Sequence, residues 1–203
     1  MRIGILGGTF NPPHLGHLIC AQEAYLQLGL DRVTLIPARI PPHKPVEEEP
    51  GPEHRLEFCR LAVQGDDRFD VSDLEIARKG PSYTVDTLEE LHSSAPEHEL
   101  FLIVGGDIAA GLPSWREPER VLSLATLAVA KRRGTSRAAV DDALGALRGG
   151  ERARFFRMPQ IAISSTLLRD RVRAKEPIRF YVPDPVIEYI DHHNLYAGVR
   201  SFI

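Results

Sequence analysis

The stretch that most constrains this chain is an apolar run, Ile3-Gly4-Ile5-Leu6, that passes straight into Gly7-Gly8-Thr9-Phe10-Asn11-Pro12-Pro13-His14-Leu15-Gly16-His17-Leu18. The run reads as a buried strand and the glycine pair as a turn. The spacing of Leu18, Ala21, Tyr25 and Leu28 marks one face of a helix. Strand, glycine turn and helix start form an anion-binding arrangement, because the first N–H groups of a helix lack intrahelical partners and carry partial positive charge. Adjacent glycines also remove the Cβ atoms that would hold a bulky anion off the main chain. With the helix starting near Pro13, His14 and His17 leave the same face at its N-terminal end and can both donate to one phosphate. Zinc explains the pair less well, since no third ligand lies nearby at metal-site spacing. Neither G-x-G-x-x-G nor G-x-x-x-x-G-K-[ST] is present.

Gly29 stops the helix and Arg32-Val33-Thr34-Leu35-Ile36-Pro37 reads as a second buried strand, so the N-terminal third is a βαβ unit. Its right-handed crossover implies a mainly parallel sheet with helices on both faces. Residues 38–51 form a proline- and acid-rich loop, followed by a helix over Pro52 to Gln64 and an alternating, more exposed strand over Phe69 to Ile76. Ser82 and Thr84 offer caps for a helix ending near His92. Leu100 to Val104 is the clearest buried strand and ends in Gly105-Gly106-Asp107. A short helix over Leu112 to Trp115, a helix around Val121 and a strand over Leu127 to Ala130 come next. Arg137 to Leu147 reads as an amphipathic surface helix without a function. Phe155-Phe156 opens the last strand, Ser164-Ser165-Thr166 open a helix to about Val172, and Pro183 to Ile190 closes the chain.

In an open parallel sheet the ligand crevice lies beyond the carboxyl ends of the strands. Gly7-Gly8, Pro37, Gly105-Gly106-Asp107, Lys131-Arg132 and Ser164-Ser165-Thr166 should therefore meet at one edge. Ser164, Ser165 and Thr166 supply hydroxyls and helix-start N–H groups for phosphate, and Arg169, one turn on, a charged fork. An ordinary cap with a solvent arginine would look the same by itself; alongside the histidine loop, the phosphate reading is favoured.

These segments resemble those of the H-x-G-H nucleotidyltransferase superfamily, and the longer Gly-Gly-Thr-Phe-Asn-Pro-Pro-His-Leu-Gly-His form resembles the nicotinate mononucleotide adenylyltransferases. The resemblance runs from Arg2 to about Tyr189 and implies one Rossmann-like, doubly wound α/β domain of nucleotidyltransferase type over residues 1–203. It implies that His14, His17, Lys44 of the Pro41-Pro42-His43-Lys44 segment and Arg169 carry catalysis. Gly7, Gly8, Thr9, Phe10, Gly105, Asp107, Arg132, Ser164, Ser165 and Thr166 would hold ATP, and magnesium is the expected companion ion. Pro81-Ser82-Tyr83-Thr84-Val85-Asp86-Thr87-Leu88 and Trp115 resemble the pyridine-recognition segments, so Tyr83, Thr84, Trp115 and Arg116 would hold the mononucleotide. Trp115 would stack on the ring, while N–H groups near Thr84 and Arg116 receive its carboxylate and favour acid over amide. Two departures stand out. Many relatives carry aspartate where this chain has Asn11, and the usual Arg-Pro-Gly is Arg132-Arg133-Gly134 here, which leaves Arg133 as the alternative to Arg132 at the phosphates.

The expected reaction is adenylyl transfer from ATP to nicotinate mononucleotide, giving deamido-NAD and pyrophosphate. Its rivals are an enzyme preferring the amide or another small phosphorylated acceptor, and a silent nucleotide-binding regulator. A net charge of −3 argues against broad attraction to nucleic acid or an acidic membrane. No apolar run nears the ~20 residues of a membrane span. Cys20 and Cys59, without a CxxC pattern, read as buried small hydrophobes in a reducing compartment, which points to the cytoplasm. A homo-oligomer is left open.

Overall fold

The computed structural model describes residues 1–42, 50–131 and 137–197. The N-terminal apolar run forms β1 (Arg2–Gly8), followed by α1 (Leu15–Leu28) and β2 (Arg32–Pro37). α2 (Pro52–Val63) opens with proline at its first turn, where a missing N–H costs nothing. The next elements are β3 (Phe69–Val71), α3 (Leu74–Ala77), α4 (Thr84–Ser94), β4 (Glu99–Gly105) and α5 (Gly106–Ala110). A 3-10 turn at Leu112–Ser114 leads to α6 (Pro118–Leu124), β5 (Ala125–Lys131) and α7 (Arg137–Gly145). A second 3-10 turn precedes β6 (Arg154–Arg157), α8 (Ser165–Arg173) and α9 (Asp184–His192).

The six strands form one parallel sheet in the order β3-β2-β1-β4-β5-β6. The order reverses between β1 and β4, and a crevice opens there beyond the strand carboxyl ends. Alternation along β4 sorts its side chains: Leu100, Leu102 and Val104 join one core layer with Val85, Leu88, Val121 and Val140. Phe101 and Ile103 join the other with Cys20, Ala21 and Ala24 of α1 and Cys59 of α2. Each fully buried Leu, Ile or Phe contributes roughly 1.5–3 kcal/mol by leaving water. Small residues on α1 let that helix lie close to the sheet. Both cysteines are buried, and neither forms a disulfide. A third cluster, built on Phe58, Leu168, Val186 and Ile190, fastens α8 and α9 to α2.

Three local expectations are corrected. The strand expected over Phe69 to Ile76 ends at Val71, and α3 takes over; the Ser72 hydroxyl accepts the Leu74 N–H at 3.3 Å and starts the new turn. Ser82 and Thr84 do not cap α4. Tyr83 holds the cap position without a side-chain bond, and the Ser82 hydroxyl instead accepts the Arg39 N–H at 2.9 Å. α1 begins at Leu15, two residues past the expected start at Pro13, so His14 is its N-cap.

One side chain joins the loops at the carboxyl edge. Arg55 of α2 is fully buried and donates to the carbonyls of Thr9 (3.0 Å), Ala38 and Arg39 (3.0 Å). The β1–α1 loop and the loop after β2 are thereby held in register, with the Ala38 N–H donating to the Gly8 carbonyl at 2.9 Å. Leaving several buried carbonyls without donors is costly, so Arg55→Met should lower unfolding free energy by about 3 kcal/mol or more. Urea unfolding checks this; an unchanged midpoint would contradict the bracing role.

Candidate active site

His14 and His17 stack with ring centroids 3.8 Å apart at the N-terminus of α1. The His14 N–H donates to Nδ1 of His17 at 3.2 Å. With Nδ1 accepting, the neutral His17 ring carries its proton on Nε2, where it is a donor. The Phe10 ring lies edge-on to His17 at 5.1 Å and is buried in the core layer beneath. This revises two sequence expectations. A Cβ on Gly8 would lie 3.1 Å from the Phe10 ring, so the second glycine makes room for that ring; only Gly7 faces open space. Phe10, 2% exposed and held at φ +51°, thus lies buried with its ring supporting His17. The helix start is also less vacant than expected, because the Leu15 N–H donates to the Tyr181 carbonyl at 2.9 Å.

The Ser-Ser-Thr segment comes to this loop across more than 150 residues. Ser164 caps α8 by accepting the Leu167 N–H at 3.1 Å, as its sequence position implies. The Ser165 hydroxyl donates to the Pro12 carbonyl at 2.8 Å. Arg169, only 9% exposed, donates to the Asn11 carbonyl at 3.0 Å and lies 3.4 Å from the Thr166 hydroxyl. Its guanidinium braces the histidine loop as well as carrying charge to that edge. The Asn11 side chain is buried, and its Oδ1 accepts the Tyr196 hydroxyl.

On the other side of the crevice, Tyr83, Thr84, Trp115 and Arg116 line a cavity of about 90 Å³ with Pro42 and Ser82. The four expected mononucleotide residues are therefore one wall in space. The Arg116 guanidinium lies 4.8 Å from the Tyr83 ring centroid and 3.6 Å from the carboxylates of Asp86 and Glu117. Behind the wall is a group that sequence reading missed. Glu75 of α3 is buried and accepts the Thr87 hydroxyl at 2.6 Å, while Arg78 donates to the same hydroxyl at 2.8 Å. Burial holds the Glu75 carboxyl above the usual carboxylate range; the bonds from Thr87 and Ser82 and the charge of Arg78 oppose that rise. Ser82 also donates its N–H to the Ile40 carbonyl at 2.9 Å, tying the wall to the loop after β2.

At the ends of β4 and β5, Gly106, Val129, Ala130, Lys131 and Phe155 line a cavity of about 430 Å³ together with Arg137 and Val140 of α7. α7, read from sequence as a surface helix without a function, therefore contributes to the crevice edge. The Arg137 guanidinium sits 3.9 Å over the Phe155 ring, a contact that helical periodicity could not reveal. A Cβ on Gly105 would meet the Asp107 carboxylate at 2.7 Å, so this glycine lets the exposed aspartate fold back over the strand end. Lys44 and Arg132 lie outside the described residues. Among the described residues no group of three or more His, Cys, Asp or Glu side chains is placed to hold a metal, and no helix is long and apolar enough to cross a membrane.

Comparison with known proteins gives the same direction. The model of the cytidylyltransferase-like family matches residues 5–171. A probable nicotinate-nucleotide adenylyltransferase of Roseiflexus sp. (strain RS-1) is 48% identical over 96% of this chain and 97% of its own length. The nicotinate-nucleotide adenylyltransferase of Bacillus subtilis (strain 168) is 38% identical over 97% of this chain and 99% of its own. Among solved structures, the Plasmodium falciparum nicotinic acid mononucleotide adenylyltransferase complexed with NaAD superposes with a TM-score of 0.76. At 20% identity, covering 96% of this chain and 97% of that one, it shows a shared fold.

The buried carboxyl makes stability depend on pH with a definite sign. Because the folded state holds the Glu75 proton to higher pH than the unfolded chain does, folding binds protons in that interval and stability falls as pH rises through it. Urea unfolding of Glu75→Gln should therefore match the unsubstituted chain below the ordinary glutamate range and exceed it at neutral pH. A constant difference across pH 4–8 would contradict this.

Proposed function

The chain belongs to the cytidylyltransferase-like family and, within it, to the nicotinate-nucleotide adenylyltransferases, and on that premise we propose that it transfers the adenylyl group of ATP to nicotinate mononucleotide, forming deamido-NAD and pyrophosphate. The observation that carries the reading at residue level is the closure of the imidazole loop against the α8 N-terminus by Ser165 and Arg169, together with the cavity that Tyr83, Thr84, Trp115 and Arg116 line.

The 5′-phosphate of the mononucleotide attacks the α-phosphorus of ATP in line and pyrophosphate leaves, with no covalent enzyme intermediate. A phosphate monoester is already an anionic nucleophile, so the protein has mainly to hold two anions together and stabilise the charge that develops on the α- and β-phosphates. His17 donates from Nε2 and His14 stacks beside it, both on the rigid start of α1. The α8 N-terminus and Arg169 face the triphosphate, and Lys44 is assigned to the same phosphates from its sequence context. ATP enters as its magnesium complex, the ion held chiefly by phosphate oxygens and water, as suits an ion that dehydrates reluctantly. Asn11 is not assigned to the ion, since its Oδ1 receives the Tyr196 hydroxyl.

Tyr83, Thr84, Trp115 and Arg116 hold the pyridine end. The Trp115 ring supplies an apolar face, and the N–H groups at the start of α4 with the Arg116 guanidinium favour a carboxylate. An amide would bring its own donors to the same groups. We place the reaction in the cytoplasm, where ATP is abundant and the two thiols stay reduced.

Pyrophosphate release with ATP and magnesium, compared across nicotinate mononucleotide, its amide and phosphopantetheine, tests the substrate assignment. Turnover should be fastest with the acid; turnover with phosphopantetheine alone would overturn it. In the same assay His17→Ala should fold normally and lose on the order of 10²–10³-fold in kcat, as for removal of one preorganised donor. An active His17→Ala protein would refute the role of that imidazole.

A further inference from the structure

The loop that presents the imidazoles cannot fasten itself. Pro12 and Pro13 carry no N–H, so between Asn11 and His14 the main chain has nothing to donate and can be held only through its acceptors. Two donors meet those main-chain acceptors, and a third meets the Asn11 side chain. The Ser165 hydroxyl takes the Pro12 carbonyl and Arg169 takes the Asn11 carbonyl; both stand on α8, already part of the phosphate site. The third comes from the end of the described chain, where the Tyr196 hydroxyl donates to Oδ1 of Asn11 across 185 residues.

The tail is shaped for this contact. After α9, Asn194 and Tyr196 both adopt the left-handed region, at φ +51° and +63°, which residues bearing a Cβ seldom enter without a reason. The Leu195 N–H donates to the Ile190 carbonyl at 3.0 Å, turning the chain back on the helix. The Tyr196 ring then lies 6.3 Å from that of Phe58 on α2, which holds it against the third core cluster and directs its hydroxyl to Asn11. Asn11 is 3% exposed, so this side chain is enclosed within the protein and fixed from both ends: by Arg169 at its carbonyl and by Tyr196 at its amide.

We propose that Tyr196 is a positioning residue for adenylyl transfer: through Oδ1 of Asn11 it fixes the Asn11-Pro12-Pro13-His14 segment and so the direction in which the His17 Nε2 proton points. The link is short. Asn11 sets where the two prolines run, the prolines set the His14 N–H, and that N–H is the donor that orients the His17 ring. Tyr196 touches no reacting atom. Its influence on rate rests on the adenylyltransferase reading, whereas its influence on the imidazoles does not.

Tyr196→Phe removes the hydroxyl and keeps the ring on Phe58. The expected result is a kcat about tenfold lower, because small misplacement of a preorganised group is expensive in rate. KM for ATP and for the mononucleotide should change by less than about twofold, since uniform binding is untouched, and the thermal midpoint should fall by no more than a few degrees, as for one lost buried hydrogen bond. In a cycle with Asn11→Ala, the double variant should be no slower than Asn11→Ala alone, since both remove one linkage. The nitrogen chemical shifts of the His14 and His17 imidazoles, which read tautomer and hydrogen bonding without turnover, should move in Tyr196→Phe. Unchanged kcat and unchanged shifts, or losses that add in the double variant, would overturn the proposal. Shifted imidazoles in a protein that never turns over nicotinate mononucleotide would uphold the linkage and refute the substrate assignment instead.

Discussion

A chain that leaves a parallel sheet at its carboxyl edge carries carbonyl oxygens out of the ladder, and each needs a donor from elsewhere. That constraint organises the whole crevice. Arg55 answers it for Thr9, Ala38 and Arg39, Ser165 for Pro12 and Arg169 for Asn11. These donors stand on α2 and α8, the helices that the third core cluster fastens together. Packing between these helices therefore sets the position of the crevice main chain. The loops over the crevice are irregular in shape, but their carbonyls are bound to rigid helices, which is what a site built on loops requires.

The electrostatics follow the same economy of charge. The whole chain carries a net charge of −3, yet the histidine side of the crevice is furnished with an imidazole pair, a helix start and guanidinium groups. Behind the Trp115 wall, burial raises the Glu75 carboxyl above the usual carboxylate range, against the hydrogen bonds of Thr87 and Ser82 and the charge of Arg78. Asp86 and Glu117 stand near Arg116 and fix its guanidinium over the Tyr83 ring.

Much of this was legible in the residues because it depends on local rules. Alternation and apolar runs located β1, β2, β4 and β5, Gly29 ended α1 with a left-handed residue, and Ser164 caps α8 as its spacing required. The topological rule then brought Gly7, Gly105, Lys131 and Ser165 to one edge. What stayed hidden is interaction through space. Nothing in the α2 sequence distinguishes Arg55 from a surface arginine, because its three acceptors lie 16 to 46 residues away. Glu75 was absorbed into a strand pattern because Phe69 and Val71 alternate, as do Leu74 and Ile76, while Ser72 between the two pairs starts a helix. Gly8 suggested anion access, and only the Phe10 ring folded beneath it shows why that glycine lacks a side chain.

The two sulfur atoms have a consequence of a different kind. Cys20 and Cys59 sit inside the core layer that supports Phe10, and burial drives the Cys59 thiol far above its ordinary range despite the opposing charge of Arg55. A thiol kept protonated and dry is a poor nucleophile. Alkylating reagents and peroxides must then wait for the core itself to open, so the rate of thiol labelling would clock whole-molecule opening rather than events in the crevice.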